Sequence, residues 1–238
     1  MPQRTLTDIV QMSGHLDAQG LSSTITTHSS GLHAVCAPAE PGEADRIPAS
    51  SVTELLRVAK KQYDFVIVDT PPAFTEHVLS AFDLSDKLVL IATLDIPAIK
   101  NLRLTLDTLD LLGNPTESRI TVLNRSDAKV GLTAEDVMAS LKQDIAVMVP
   151  TSTDVPASVN RGVPIVLDMP RHPVSAALRQ LADNHLRIPI YNAVNLDREG
   201  VLRADSEMQA ALSVGRLYCV AIHCSTLVSS TSLESNTS

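Results

Sequence analysis

The chain has 238 residues, of which 44% are hydrophobic and only 3% aromatic, with no Trp. That length and composition suffice for one domain with an aliphatic core and disfavour a β-sandwich, whose sheet faces are commonly filled by aromatic rings. A formal charge of −8 repels nucleic acid and anionic membrane, so neither is a default partner.

In chain order, the opening residues MPQRTLTDIVQ carry no apolar signal core. Leu32 to Cys36 is a weak strand candidate. Ser51 to Lys61 places Val52, Leu55, Leu56 and Ala59 at i, i+3, i+4 and i+7, which predicts an amphipathic helix. Ser51 with Glu54 predicts a capping box at its start. Phe65–Val68, bounded by Asp64 and Asp69, predicts a strand buried on both faces. Glu76 and His77 are expected to open a surface helix rather than to form an acid–base pair. Leu88–Ile91 is the next strand.

Ala98 to Leu112 repeats Leu at 102, 106 and 109, and Gly113-Asn114-Pro115 stops it. Leu104 and Leu111 widen its apolar face, and the stripe is read as core in preference to a dimer face. Ile120–Leu123 is a strand ending at Asn124. Thr133 to Leu141 is a helix with Thr133 as N-cap. Ile145–Val149 is a strand ending at Pro150, Ile165–Leu167 a short strand beyond Pro164, and Val174 to Leu186 the last helix.

This alternation predicts an α/β fold: a doubly wound, mostly parallel sheet with helices on both faces. Residues 1–187 are expected to form the domain and 188–238 an irregular, poorly ordered tail, with a helical turn or two at Glu207 to Val214. No run of about 18 apolar residues is present. Three cysteines (Cys36, Cys219, Cys224) make no disulfide framework and suit a reducing cytoplasm. The spacing of Cys219, His223 and Cys224 fits no common zinc motif. There is no G-x-S-x-G elbow for a serine hydrolase.

The segment with most chemical content is Tyr63-Asp-Phe-Val-Ile-Val-Asp69-Thr-Pro-Pro72. Ligands of parallel sheets bind above the carboxyl ends of strands. A carboxylate there can hold the hydration shell of Mg²⁺, a hard cation that keeps several waters. Proline cannot continue a central strand, so Pro71 and Pro72 turn the chain off the sheet. On the residues alone, Asp69 is equally well a plain strand-end cap.

The run DFVIVDTPPAF…SDKLVLIATLDIPAIKN resembles the Walker B and switch II region of MinD/ParA-type ATPases. Together with VLNR at 122–125 and VPTSTDVPASVNRGVPIVLDMPRHPVSAAL from 149, it is most similar to the CpaE/TadZ branch, associated with pilus assembly and polar localisation. The likeness runs in order over roughly residues 5 to 186. It implies that Asp69 acts on Mg²⁺ through water, that Thr70, Pro71 and Pro72 form switch II, and that Asn124 reaches the adenine edge. Arg125 would stack or pair near the base, and Pro150 to Asp154, Thr151 included, would wall the adenine. It also implies ATP and Mg²⁺ as cofactors, a cytoplasmic homodimer, and pilus, secretion or polar-localisation proteins as partners. Membrane contact would be peripheral at most.

Two observations complicate that reading. Asn124-Arg125-Ser126-Asp127 also fits N-x-x-D, a guanine-reading pattern, though the family match favours adenine. More seriously, no Gly-Lys dipeptide occurs in the chain, whereas a phosphate-binding loop needs G-x-x-x-x-G-K-[ST] so that amides and a lysine cradle the phosphates. The resemblance therefore implies a chain that starts downstream of the first strand and the P-loop, with impaired ATP binding. Three readings follow: an ATPase whose full-length form binds ATP, a non-enzymatic interaction module, or a truncated gene product.

Overall fold

The computed structural model describes residues 4–12, 14–38, 40–71 and 73–186, and the backbone of 216–223. The described residues up to Asp86 and those from Lys87 to Leu186 fall into two compact units, with 69–71 and 73 joining the second.

In the first unit, α1 (Leu6–Val10) and α2 (Ala18–Thr24) lead to a minimal antiparallel hairpin, β1 (Thr26–Thr27) with β2 (His33–Ala34). The weak strand at Leu32 to Cys36 thus exists as two residues in a hairpin, not in the main sheet. A short α3 (Pro41–Ala44) precedes α4 (Ala49–Gln62), β3 (Phe65–Asp69) and α5 (Glu76–Leu84). Helix α4 buries Leu55 and Ala59 against Ile9, Leu16 and Leu21 of the α1–α2 segment.

The expected capping box of α4 is corrected. The helix starts earlier, with Pro48 at the N-cap, and Ser51 is buried. Glu54 instead accepts from the Gly14 and Leu16 amides at 2.8 and 3.1 Å. Two orphan loop amides outcompete a local cap, because a carboxylate gains more from paired N–H donors than from one. At the far end, Lys60 donates to the Leu84 carbonyl and Asp86 at 3.0 and 3.1 Å, tying α4 to the end of α5. Helix α5 opens at Thr75, whose hydroxyl accepts from Val78 N–H.

The second unit holds β4 (Lys87–Thr93), α6 (Ile96–Leu111), β5 (Arg119–Asn124), α7 (Ala134–Leu141) and β6 (Val147–Val149). It continues through α8 (Asp154–Arg161), α9 (Ile165–Asp168), α10 (Pro173–Gln180) and a π-helical turn, Leu181–Leu186. β4 pairs with β5 and β5 with β6, both parallel. Leu88, Val89, Leu90, Val122, Leu123 and Val147 are each at most 3% exposed, as expected of strands covered on both faces.

α6 is capped by Asp95, which accepts from Ala98 N–H at 2.9 Å. Its Leu102, Leu106 and Leu109 are core, but Leu104 and Leu111 are 61% and 88% exposed. A three-leucine face already fills the contact with the sheet, so the two extra leucines point outward. Thr133 caps α7 in a reciprocal box with Asp136. The expected strand at Ile165–Leu167 is helical instead. Pro164 occupies its N-cap, and the Ser175 hydroxyl takes the Ile165 and Met169 carbonyls, leaving no ladder to join.

A further strand, β7 (Arg216–His223), lies within the tail expected to be irregular. Its run of β-branched, aromatic and small apolar residues has strand propensity that the flanking Arg216 and His223 obscure. Within the second unit the parallel strands run in the order β4-β5-β6. The expected turn at Glu207 to Val214 and the Cys219–Cys224 side chains lie outside the described residues. No helix among the described residues is long and apolar enough to cross a membrane.

Candidate functional site

The parallel register aligns three strand ends in the second unit: Thr93 opposite Asn124, and Asn124 opposite Val149. Asn124 is half-buried at the tip of β5. Its side-chain oxygen accepts from the Arg125 amide at 3.0 Å, which turns the carboxamide NH₂ away as a donor. Arg125 is exposed and sits in the left-handed region at φ +53°. A non-glycine residue is rarely found there without a local hydrogen bond to hold it, and Asn124 supplies one.

The next residues fold back onto β6. Ser126 donates from its amide to the Val149 carbonyl at 3.0 Å. Asp127 Oδ1 accepts from the Thr151 amide at 2.6 Å. That backbone hydrogen bond, with a further contribution from the Thr151 side chain, holds the Asp127 carboxyl below the usual carboxylate range.

Residues 150–154 leave β6 and are held at their other end by His172, the N-cap of α10. His172 Nδ1 accepts from Val174 N–H at 3.1 Å, so the neutral ring carries its proton on Nε2. That N–H faces Ser152 Oγ at 3.3 Å and Asp154 Oδ2 at 3.4 Å. Ser152 Oγ also accepts from the Asp154 amide at 3.0 Å. Although Ser, His and Asp meet here, a ring nitrogen already bearing a proton cannot take one from Ser152. The cluster is an anchor, not an activated nucleophile.

Asp69 ends β3 and is exposed, Thr70 is buried, and Pro71 is exposed. The Ala73 amide closes a turn onto the Pro71 carbonyl at 2.9 Å. Among the described residues no group of three or more His, Cys, Asp or Glu is arranged to hold a metal.

The expected base-side residues Asn124, Arg125, Pro150, Thr151 and Asp154 thus lie along one short stretch of sheet edge. The Asp154 carboxylate lies toward His172. Sequence reasoning missed His172 and the clamping role of Asp127. A histidine just before Pro173, the first residue of a helix, is the signal that could have exposed the former.

No protein-family model matches the chain. Curated relatives include the septum site-determining protein MinD of Thermotoga maritima, 22% identical over 129 residues, covering 52% of this chain and 48% of that protein. MinD of Bacillus subtilis is 23% identical over 60% of this chain and 55% of its own length. The chain spans about half the length of these relatives. Among solved structures, a ParA family ATPase from Chlorobium tepidum superposes with a TM-score of 0.71 at 21% identity, covering 79% of this chain and 78% of that one. The Pyrococcus horikoshii MinD complexed with Mg-ADP gives 0.64 at 17% identity, over 76% and 72%.

The fold is that of the MinD/ParA-type ATPases. Sequence relatives and structural neighbours agree on this superfamily.

Proposed function

We propose that this chain is a CpaE/TadZ-like nucleotide-binding domain of pilus or secretion assembly or of polar localisation, with its ATP-binding capacity impaired. The single observation that carries the nucleotide reading is the preformed edge of β5 and β6, where the Asn124 carboxamide stands beside the tethered loop 150–154. The motifs VLNR and VPTSTDVPASVNRGVPIV support the CpaE/TadZ branch.

Adenine suits the base side. The Asn124 oxygen is engaged by Arg125, so its NH₂ group is left to donate to a ring nitrogen of the base. Exposed Arg125 offers a planar cation that can stack on a base. Mg²⁺, held through water at Asp69, would neutralise phosphate charge when bound. The phosphates themselves are not accommodated: phosphoryl transfer depends on an amide-and-lysine cradle, and no Gly-Lys dipeptide is present in the 238 residues. No hydrolytic step is therefore assigned to these residues. The same observation favours a second reading, an interaction module that retains the fold without nucleotide hydrolysis. Homodimerisation and cytoplasmic residence are part of the proposal, on family likeness.

Calorimetry with Mg-ATP tests this. We expect no saturable binding tighter than roughly 1 mM, a binding free energy of only about 4 kcal/mol. Micromolar binding that Asp69→Asn abolishes would overturn the impaired-site reading.

A further inference from the structure

Asp127 is the acidic member of an N-x-x-D pattern, and on sequence it could read a guanine. Reading guanine requires a carboxylate to present both oxygens side by side to the N1–H and N2–H donors of the base. In this fold Oδ1 accepts from the Thr151 amide at 2.6 Å, which orients the carboxylate toward the loop after β6 while each oxygen keeps a further lone pair. The bond bridges 24 residues, from the turn after β5 to the loop after β6. Ser126 reinforces the same connection with its amide and its hydroxyl, both donating to the Val149 carbonyl at 3.0 and 3.3 Å.

We infer that Asp127 is a positioning residue, clamping the start of loop 150–154 against β5, and not a base reader. His172 clamps the other end of that loop through Ser152 and Asp154. A loop fixed at both ends before any ligand arrives loses little conformational entropy on binding. Base contact then falls to Asn124 and Arg125, the residues between the clamp and the strand. That last point rests on the nucleotide reading above; the clamp itself does not.

The test uses the whole chain without ligand. Amide hydrogen exchange across 148–156 is compared in the wild type, Asp127→Ala and Asp127→Asn, with circular dichroism confirming that each variant is folded. Losing a charge-assisted acceptor should speed exchange at Thr151 by about ten- to a hundredfold in Asp127→Ala. Asp127→Asn keeps an acceptor oxygen and should recover to within about threefold of the wild type. Exchange at Asp154, held by Ser152, should stay unchanged in both. Unaltered Thr151 exchange in Asp127→Ala would overturn the clamp.

Ligand-observed NMR with adenosine and guanosine adds a second arm, since nucleosides need no phosphate cradle. Guanosine binding by the wild type that Asp127→Ala and Asp127→Asn both abolish, with adenosine binding untouched, would make Asp127 a base reader and overturn the inference. If neither nucleoside binds while Thr151 exchange responds as expected, the clamp stands and the assignment of base contact to Asn124 and Arg125 falls.

Discussion

β3 and β5 share one sequence signature, a short apolar run closed by a polar residue that can face a ligand, yet the structure treats them differently. In β5, Arg119 through Leu123 are all buried, and parallel partners flank the strand on both sides. In β3, Ile67 is 50% exposed and no residue from Phe65 to Asp69 is fully buried. An apolar run predicts that a strand forms; how deeply it is buried depends on what covers each face, which comes from elsewhere in the chain. The functional ends differ in the same way. The tip of β5 is tied down by Arg125, Ser126 and Asp127, whereas Asp69 leads into an exposed Pro71 turn.

The sharpest way to break this contrast is to delete matched side-chain volume from the two strands. Leu123→Ala should cost about 3 kcal/mol in urea denaturation, the usual cost of a buried leucine, and Ile67→Ala less than about 1.5 kcal/mol. Equal costs would mean that β3 is as well covered as β5. Next in size is Arg119, 8% exposed at the head of β5. Its guanidinium donates to Asp110 at 2.6 Å, to the Asn114 side chain at 3.1 Å and to the Asn114 carbonyl. Because Asp110 is largely exposed, that carboxylate can rehydrate when its partner goes. Arg119→Ala should therefore destabilise by about 2 kcal/mol, less than for a pair buried on both sides. A loss below about 0.5 kcal/mol would show that β5 is not anchored from its start.

His172→Ala removes the side-chain cap of α10 and one loop anchor, an expected loss of about 1 kcal/mol by thermal or urea unfolding. The smallest effect concerns pH. The Asp127 carboxyl titrates below its ordinary value of 3.8 because of the Thr151 amide. A depressed folded-state value means that its contribution is fully present above the unfolded value and is lost as pH falls through the folded one. Thr151 protection should hold down to about pH 4 and decline only below it. A decline beginning well above pH 4 would mean that the Asp127 carboxyl does not control the loop.

Much of this was legible in the residues. The runs at 65–68, 88–91 and 120–123 became strands, and the capping residue Thr133 and the stop at Gly113-Asn114-Pro115 sit where local chemistry puts them. Other features were not legible, for identifiable reasons. Glu54 lies in a good local capping pattern but is recruited by amides about 40 residues upstream. Ile165–Leu167 reads as a strand by composition, yet Ser175 and Pro164 turn it into a helical turn. Leu104 and Leu111 fit a core stripe by spacing alone, but the contact face of α6 is filled without them.

By itself, then, the sequence determined the alternation of strand and helix, the acidic end of β3, the amide-bearing tip of β5 and the lack of a Gly-Lys dipeptide. Those properties reside in short stretches of covalent chain, where period, propensity and residue chemistry act within a few positions. Only the tertiary structure decided that Asp127 grips Thr151, that His172 holds Ser152 and Asp154, and that β3 is half-covered while β5 is fully covered. Each of these joins residues far apart along the backbone, so their partners and their burial exist only once the strands have taken their places.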